Sequence, residues 1–150
     1  MLHDAVTYVV LVEDSDEDAD TAEEALRRTL LPARMQRVIS GEACLALLTG
    51  VPGLLPSLIV MDLGTPGLDG RDALREIRRD QRLSGVTVVV TSTSANPRDV
   101  DFCYQAGVNA YHVKPVNHLE HLDAMTAMFE YWLRRVELPM PQPCPRAVGQ

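Results

Sequence analysis

Apolar and polar positions along this chain switch repeatedly between a short, doubly apolar period and a helical one. Thr7 to Val12 (TYVVLV) is β-branched and apolar on both faces, which predicts a strand buried inside a parallel sheet. Ser15 followed by Asp18 forms a capping-box pattern, and Ala19, Ala22, Leu26 and Leu30 recur at helical spacing until Leu31-Pro32. Met35 to Ile39 predicts a weaker strand, more polar and near a sheet edge. A short helix is predicted from Gly41 to Leu48, closed by Gly50, with a Pro/Gly loop through Pro56. Leu58 to Met61 is a fully apolar strand ending on Asp62, after which Gly64-Thr65-Pro66-Gly67 turns the chain toward a helix from about Arg71 to Arg79. Val86 to Val90 predicts another buried strand, Pro97 to Gln105 a helix, and Asn109 to Val113 the last strand, ending on Lys114-Pro115. A long final helix is predicted from about Asn117 to Val136.

Strands alternating with helices of this length require right-handed crossovers, so the predicted fold is an α/β doubly wound sheet with helices on both faces. Leu138 to Pro145 (LPMPQPCP) carries four prolines and predicts an extended tail. One domain over residues 1–138, followed by a disordered Pro-rich tail over 139–150, is the expected organisation. Nothing past Val136 predicts an output domain, and the start (MLHDAV) has no basic segment leading into an apolar run. A stand-alone cytoplasmic protein is expected.

Composition narrows the classes. Hydrophobic residues make up 46% of the 150 and charged residues 23%, a globular balance, and no apolar run is long enough to span a bilayer. A net charge of −7 without a basic cluster argues against nucleic acid as a partner. The arginine pairs 27–28, 78–79 and 134–135 fall in predicted helices and read as solvated faces. Cys44, Cys103 and Cys144 fit neither a disulfide framework nor a zinc spacing. His118 and His121, one helical turn apart, read as a solvated pair.

Candidate chemistry lies at the strand ends, since doubly wound sheets bind ligands outside the carboxyl ends of their strands. Those ends carry Glu13 and Asp14, then Asp62, Ser92 and Lys114. Clustered carboxylates repel unless a cation or a shared proton intervenes. Magnesium suits one or two carboxylates plus phosphate oxygens, and Lys114 with the Ser92 hydroxyl would complement an anion. The set suggests a phosphoryl group on or near an aspartate. Asp16, Glu17 and Asp18 read only as favourable first-turn residues of a helix.

The segments "VEDSDED", "LIVMDLGTPGLDG", "VVVTSTS" and "YHVKP", in this order, resemble the CheY-like receiver domains of two-component response regulators, over about Tyr8 to Val136. The resemblance implies a three-layer, five-stranded parallel sheet of strand order 2-1-3-4-5. It implies Asp62 as phosphoacceptor, and Mg²⁺ held by Glu13, Asp14, Asp62 and the Gly64 carbonyl. Lys114 would pair with the phosphoryl group, and Ser92, with Thr93 beside it, and Tyr111 would form the switch. The implied partner is a sensor histidine kinase, and the protein is no enzyme beyond assisting its own phosphorylation and dephosphorylation. The ending "FEYWLRRVELP" is similar to single-domain regulators paired with bacterial phytochromes. A homodimer through Phe129, Trp132, Leu133 and Val136 is expected.

Three departures bear on function. Thr91 stands where an aliphatic residue is usual, Ser92 replaces the more frequent threonine, and Gly64 replaces a larger side chain. A haloacid-dehalogenase-like phosphatase needs a second aspartate two positions after the first, where Gly64 stands. A flavodoxin-like carrier needs a hydroxyl- and Gly-rich loop where this chain has carboxylates. Alternatives within the family are a phosphate shuttle or sink and a partner-binding pseudo-receiver.

Overall fold

The apolar runs become strands of one parallel sheet: β1 (Thr7–Val12), β2 (Ala33–Val38), β4 (Leu58–Asp62), β5 (Val88–Ser92) and β6 (Ala110–Val113). A two-residue strand, β3 (Leu54–Leu55), precedes β4, and β7 (Gln142–Pro143) follows late in the chain. The helices are α1 (Asp16–Arg28), α2 (Gly41–Thr49), α3 (Gly70–Arg79), α4 (Pro97–Gln105) and α5 (His118–Glu130). This computed structural model describes residues 6–50, 54–64 and 70–145. The turn expected at Thr65-Pro66-Gly67 and part of the loop before Pro56 lie outside the described residues.

Strand order is β2-β1-β4-β5-β6, every pair parallel. Counting only these five strands, it is the expected 2-1-3-4-5 order. Period-two alternation divides the core. Val10, Val12, Ile59, Met61, Val88 and Val90 pack toward Leu48, Leu74, Ile77 and Cys103, under α2, α3 and α4. Val9, Leu11, Leu58, Val60 and Val89 pack toward Ala22, Ala25, Met125 and Phe129, under α1 and α5. Phe129 is wholly buried, an environment that stabilises such a side chain by about 1.5–3 kcal/mol.

Several expectations change. The fourth sheet strand begins at Val88, not Val86, because Val86 closes a turn through its N–H to the Leu83 carbonyl. It continues through Thr91 and Ser92, which pair with His112 and Val113 of β6, so polar side chains occupy ladder positions. The final α-helix stops at Glu130 and becomes a π-helical turn over Tyr131–Arg135, in which Val136 N–H reaches the Tyr131 carbonyl. Arg134 is not merely solvated: it donates to the carbonyl of Thr29 at 3.0 Å, satisfying the end of α1. Arg78 likewise donates to the carbonyls of Gly107, Ser84 and Val86 and to Asn109 Oδ1, tying α3 to two loops. Gly107 has φ +102°, and a Cβ there would meet Arg78 Cγ at 2.9 Å, so the position needs glycine.

The tail is extended, as its prolines require, yet its described part is not free. Leu138 packs on the core under α1 and α5, while Leu54, Leu55 and Cys144 pack on the opposite core, and β7 pairs antiparallel with β3. The chain thus crosses from one face to the other.

Candidate functional site

All strands of the sheet point the same way, so their carboxyl ends place successive loops along one rim. β1 delivers Glu13, whose N–H still bonds the Val38 carbonyl and whose own carbonyl accepts from Arg37 Nε. This backbone anchoring turns the Glu13 side chain inward, where it is 4% exposed, while the next residue, Asp14, faces solvent. β4 delivers Asp62, nearly buried, with Oδ1 accepting the Gly64 N–H at 3.0 Å. β5 delivers Ser92, and the turn after β6 delivers Lys114, whose N–H is fixed on the Ser92 carbonyl at 2.7 Å.

Lys114 gathers the site. Its ammonium, on a side chain 8% exposed, lies 2.9 Å from Glu13 Oε1, 2.9 Å from Asp18 Oδ2 and 3.3 Å from Asp62 Oδ2. Burial alone would lower its pKa, but the bonds to Asp18 and Glu13 and the charge of Asp62 hold it above the ordinary lysine range. One cation shared by three carboxylates does not neutralise them all. Burial, with Asp62 as neighbour, pushes the Glu13 carboxyl up to about 7 in spite of Lys114.

Carboxylate oxygens of Glu13, Asp14 and Asp62 lie within 4.8 Å of one another. The donors are all hard oxygens, the set that suits Mg²⁺, Ca²⁺ or Mn²⁺ and not zinc or copper. Excess negative charge held beside a solvent-facing carboxylate fits a divalent cation. The open space in front is a cavity of about 370 Å³, lined by these residues and by Ser92, Thr93, Ser94, Arg71 and Asp99 among others. Gly64, exposed, borders it.

The hydroxyl side of the rim is also bonded. Ser92 Oγ accepts the Ser94 N–H at 3.1 Å, and the Ser94 carbonyl accepts the Tyr111 hydroxyl at 2.7 Å. Ser94 Oγ donates to Asp99 at 2.6 Å. Glu13, Asp14, Asp62, Ser92, Thr93, Gly64 and Lys114 therefore surround one cavity, with Tyr111 one hydrogen bond behind it.

Two site residues escape sequence reasoning. Asp18 does lie in the first turn of α1, where its N–H donates to the Oγ of the N-cap Ser15, but its carboxylate also binds Lys114. Its signal is position: it follows Asp14 by four residues, one helical turn further along the same rim. Arg71 is hidden as an ordinary helix-start residue. The interface expected on the final helix changes too. Phe129 is fully buried, and Trp132 and Leu133 pack on the core, because the π-helical turn folds them back over the sheet; Val136 is half-buried. The large apolar groups left exposed on α4, β6, the final helix and the turns between them are Tyr104, Val113, Val116, Leu119 and Tyr131. His121 is buried, not solvated. It lines a 70 Å³ cavity with His112, and burial lowers the pKa of both.

Residues 9–126 match the family of the response regulator receiver domain. The chain is 33% identical over 135 residues to the response regulator Rcp1 of Synechocystis sp., covering 87% of this chain and 92% of that protein. It superposes with a TM-score of 0.82 on the crystal structure of the phosphorylated cyanobacterial phytochrome response regulator RcpA, at 33% identity, covering 90% of this chain and 99% of that one. The Mn²⁺-bound form of Rcp1 also gives 0.82 at 33% identity, covering 89% and 99%. Among the described residues no helix is long and apolar enough to cross a membrane.

The raised Glu13 pKa sets a pH dependence. The folded state binds the proton more tightly than the unfolded chain, so this stabilisation is complete below about 4.5 and is lost as pH rises through about 7. Relative to Glu13→Gln, the metal-free wild type is expected to lose stability as pH rises from about 4.5 through about 7, while the lowered pKa values of His112 and His121 act in the opposite sense in both proteins. Urea unfolding at several pH values measures it, and a wild-type slope unchanged in Glu13→Gln contradicts the assignment.

Proposed function

Because the chain belongs to the response regulator receiver family, we propose that it accepts a phosphoryl group on Asp62 from a sensor histidine kinase and signals through its altered surface. The carrying observation is the convergence of Asp62, Lys114 and Ser92 on one cavity. Likeness to the phytochrome response regulator RcpA supports a phytochrome-type kinase as the donor, and the proposal sets this exchange in the cytoplasm.

In the proposed transfer, an Asp62 oxygen attacks phosphorus on the donor's phosphohistidine. The P–N bond breaks as the P–O bond forms, and the electron pair leaves on the imidazole nitrogen, which takes up a proton. Lys114 counters charge on the transferring group, and the buried walls hold the acceptor in place, so the protein's share is positioning and electrostatics. Mg²⁺, held by Glu13, Asp14, Asp62 and the Gly64 carbonyl, would supply further charge neutralisation at the phosphoryl oxygens.

The switch follows from existing bonds. Ser92 Oγ accepts the Ser94 N–H and keeps its own proton to donate, so as the hydroxyl turns to the phosphoryl group it pulls on the Ser94 loop. Ser94 also holds Tyr111 through its carbonyl, so the loop and the aromatic move together. A nearly complete switch requires about 5.5 kcal/mol in favour of the active state. A pseudo-receiver is disfavoured by the assembled site, and a phosphatase by Gly64. A phosphate shuttle or sink uses the same site and differs only in where the phosphoryl group goes next.

Tyr104 on α4, Val113 at the end of β6, Val116 after it and Leu119 at the start of α5 are exposed apolar groups, and the proposal takes them as one strip. Such strips mark interfaces, and a two-fold contact would bury it on both copies. The proposal therefore includes a phosphorylation-linked homodimer through this strip.

Two measurements test these points. Acetyl phosphate or kinase should load one acid-labile phosphate per chain on the wild type and none on Asp62→Asn; equal labelling of both rules out the acceptor. Sedimentation of wild type and Leu119→Glu, with and without Mg²⁺ and beryllofluoride, should give a wild-type dimer that the substitution splits. A wild type monomeric at high micromolar concentration in both states refutes the dimer.

A further inference from the structure

The cavity in front of Asp62 is short of positive charge. Among its described lining residues are five carboxylates, on Glu13, Asp14, Asp18, Asp62 and Asp99, and two cations, on Lys114 and Arg71. Lys114 is already divided among Glu13, Asp18 and Asp62. A phosphoryl group on Asp62 brings roughly two negative charges in place of one. Neutralising it therefore calls on more than Lys114.

Arg71 is placed to answer. It sits in the first turn of α3, whose start is pressed against the acceptor: a Cβ on Gly70 would lie 3.4 Å from the Asp62 carbonyl oxygen and 3.3 Å from Leu63 Cδ2. That close approach fixes the backbone beside the end of β4. The Arg71 guanidinium binds Asp99 Oδ1 at 3.1 Å and lies 5.2 Å above the Phe102 ring. Both partners of the ion pair are partly exposed, 40% for Arg71 and 30% for Asp99, so water screens it and its exchange for another anion costs little. A planar guanidinium is also the side chain best matched to phosphoryl oxygens.

We infer that Arg71 is a second cationic ligand of the Asp62 phosphoryl group, held in reserve on Asp99, and that its transfer carries the phosphorylation signal to α4. The inference rests on Asp62 being the phosphoacceptor. The coupling runs through Asp99. Its Oδ2 accepts the Ser94 hydroxyl, and Ser94 in turn holds Ser92 Oγ through its N–H and Tyr111 through its carbonyl. When Arg71 turns to the phosphoryl group, Asp99 loses its counter-charge while the Ser92 hydroxyl, which holds the Ser94 N–H, is drawn to the same group. Both events loosen the same loop from α4, so the arginine and the hydroxyl act on one hinge from opposite sides of the cavity.

The test is calorimetric titration of the full chain with beryllofluoride in saturating Mg²⁺, for wild type, Arg71→Ala, Asp99→Asn and the double variant. Removing Arg71 should weaken beryllofluoride binding about tenfold, the scale of one charge-assisted hydrogen bond, without weakening Mg²⁺ binding. Asp99→Asn, which removes the negative charge opposite the guanidinium yet can still bond Ser94, should tighten beryllofluoride binding, and the double variant should match Arg71→Ala. If Arg71→Ala unfolds, Arg71→Gln carries the same comparison. Wild-type affinity in Arg71→Ala overturns the inference. So does equal weakening by Arg71→Ala and Asp99→Asn, which would mark the pair as a structural brace. A wild type that itself fails to bind beryllofluoride removes the phosphoacceptor reading, and this inference with it.

Discussion

The site depends on one buried ammonium that three carboxylates share. Lys114 draws Glu13 from the end of β1, Asp18 from α1 and Asp62 from the end of β4 to a single point. Without it, the strand ends of a doubly wound sheet would hold like charges in a poorly solvated rim. Removing one member of a buried pair typically costs about 3–5 kcal/mol, since the remaining charge is left uncompensated. Lys114 compensates only in part: burial, with Asp62 as neighbour, pushes the Glu13 carboxyl up to about 7 in spite of it. The same deficit makes the rim receptive to a divalent cation.

How much of this was readable from residues alone varies with the range of the cause. β1 and β4 were readable because central parallel strands are apolar on both faces, and both end on the acids that form the site. The apolar, β-branched pattern runs on through Val86 and Thr87, but β5 starts at Val88, since the Val86 N–H is taken up by Leu83 in a turn. Asp18 was taken for a helix-cap acid, because local electrostatics explains it fully and its bond to Lys114 spans 96 residues of sequence. Arg71 and Arg78 were passed over for the same reason. The tail's prolines correctly indicated an extended chain but could not indicate β3 as its partner, which is only two residues long. Phe129 was placed on an interface because helical periodicity cannot tell a core stripe from an exposed one.

Long polar side chains close distances that apolar periodicity does not encode. Arg78 and Arg134 use theirs to satisfy loop and helix-end carbonyls, which makes the scaffold rigid where it meets the loops. Asp99, Ser94 and Tyr111 instead connect the rim to α4 and β6 through single hydrogen bonds that have ready alternatives. Rigid anchoring below and exchangeable bonds above are what a charge placed on Asp62 needs in order to reach a distant surface.

The most direct test of the shared-cation account is the Mg²⁺ affinity of Lys114→Met, measured by calorimetry at neutral pH beside the wild type. If Lys114 and the divalent cation serve the same carboxylates, losing the ammonium raises Mg²⁺ affinity and Mg²⁺ restores much of the stability that the substitution removes. An affinity that is unchanged or lower, with no recovery of stability, would contradict it.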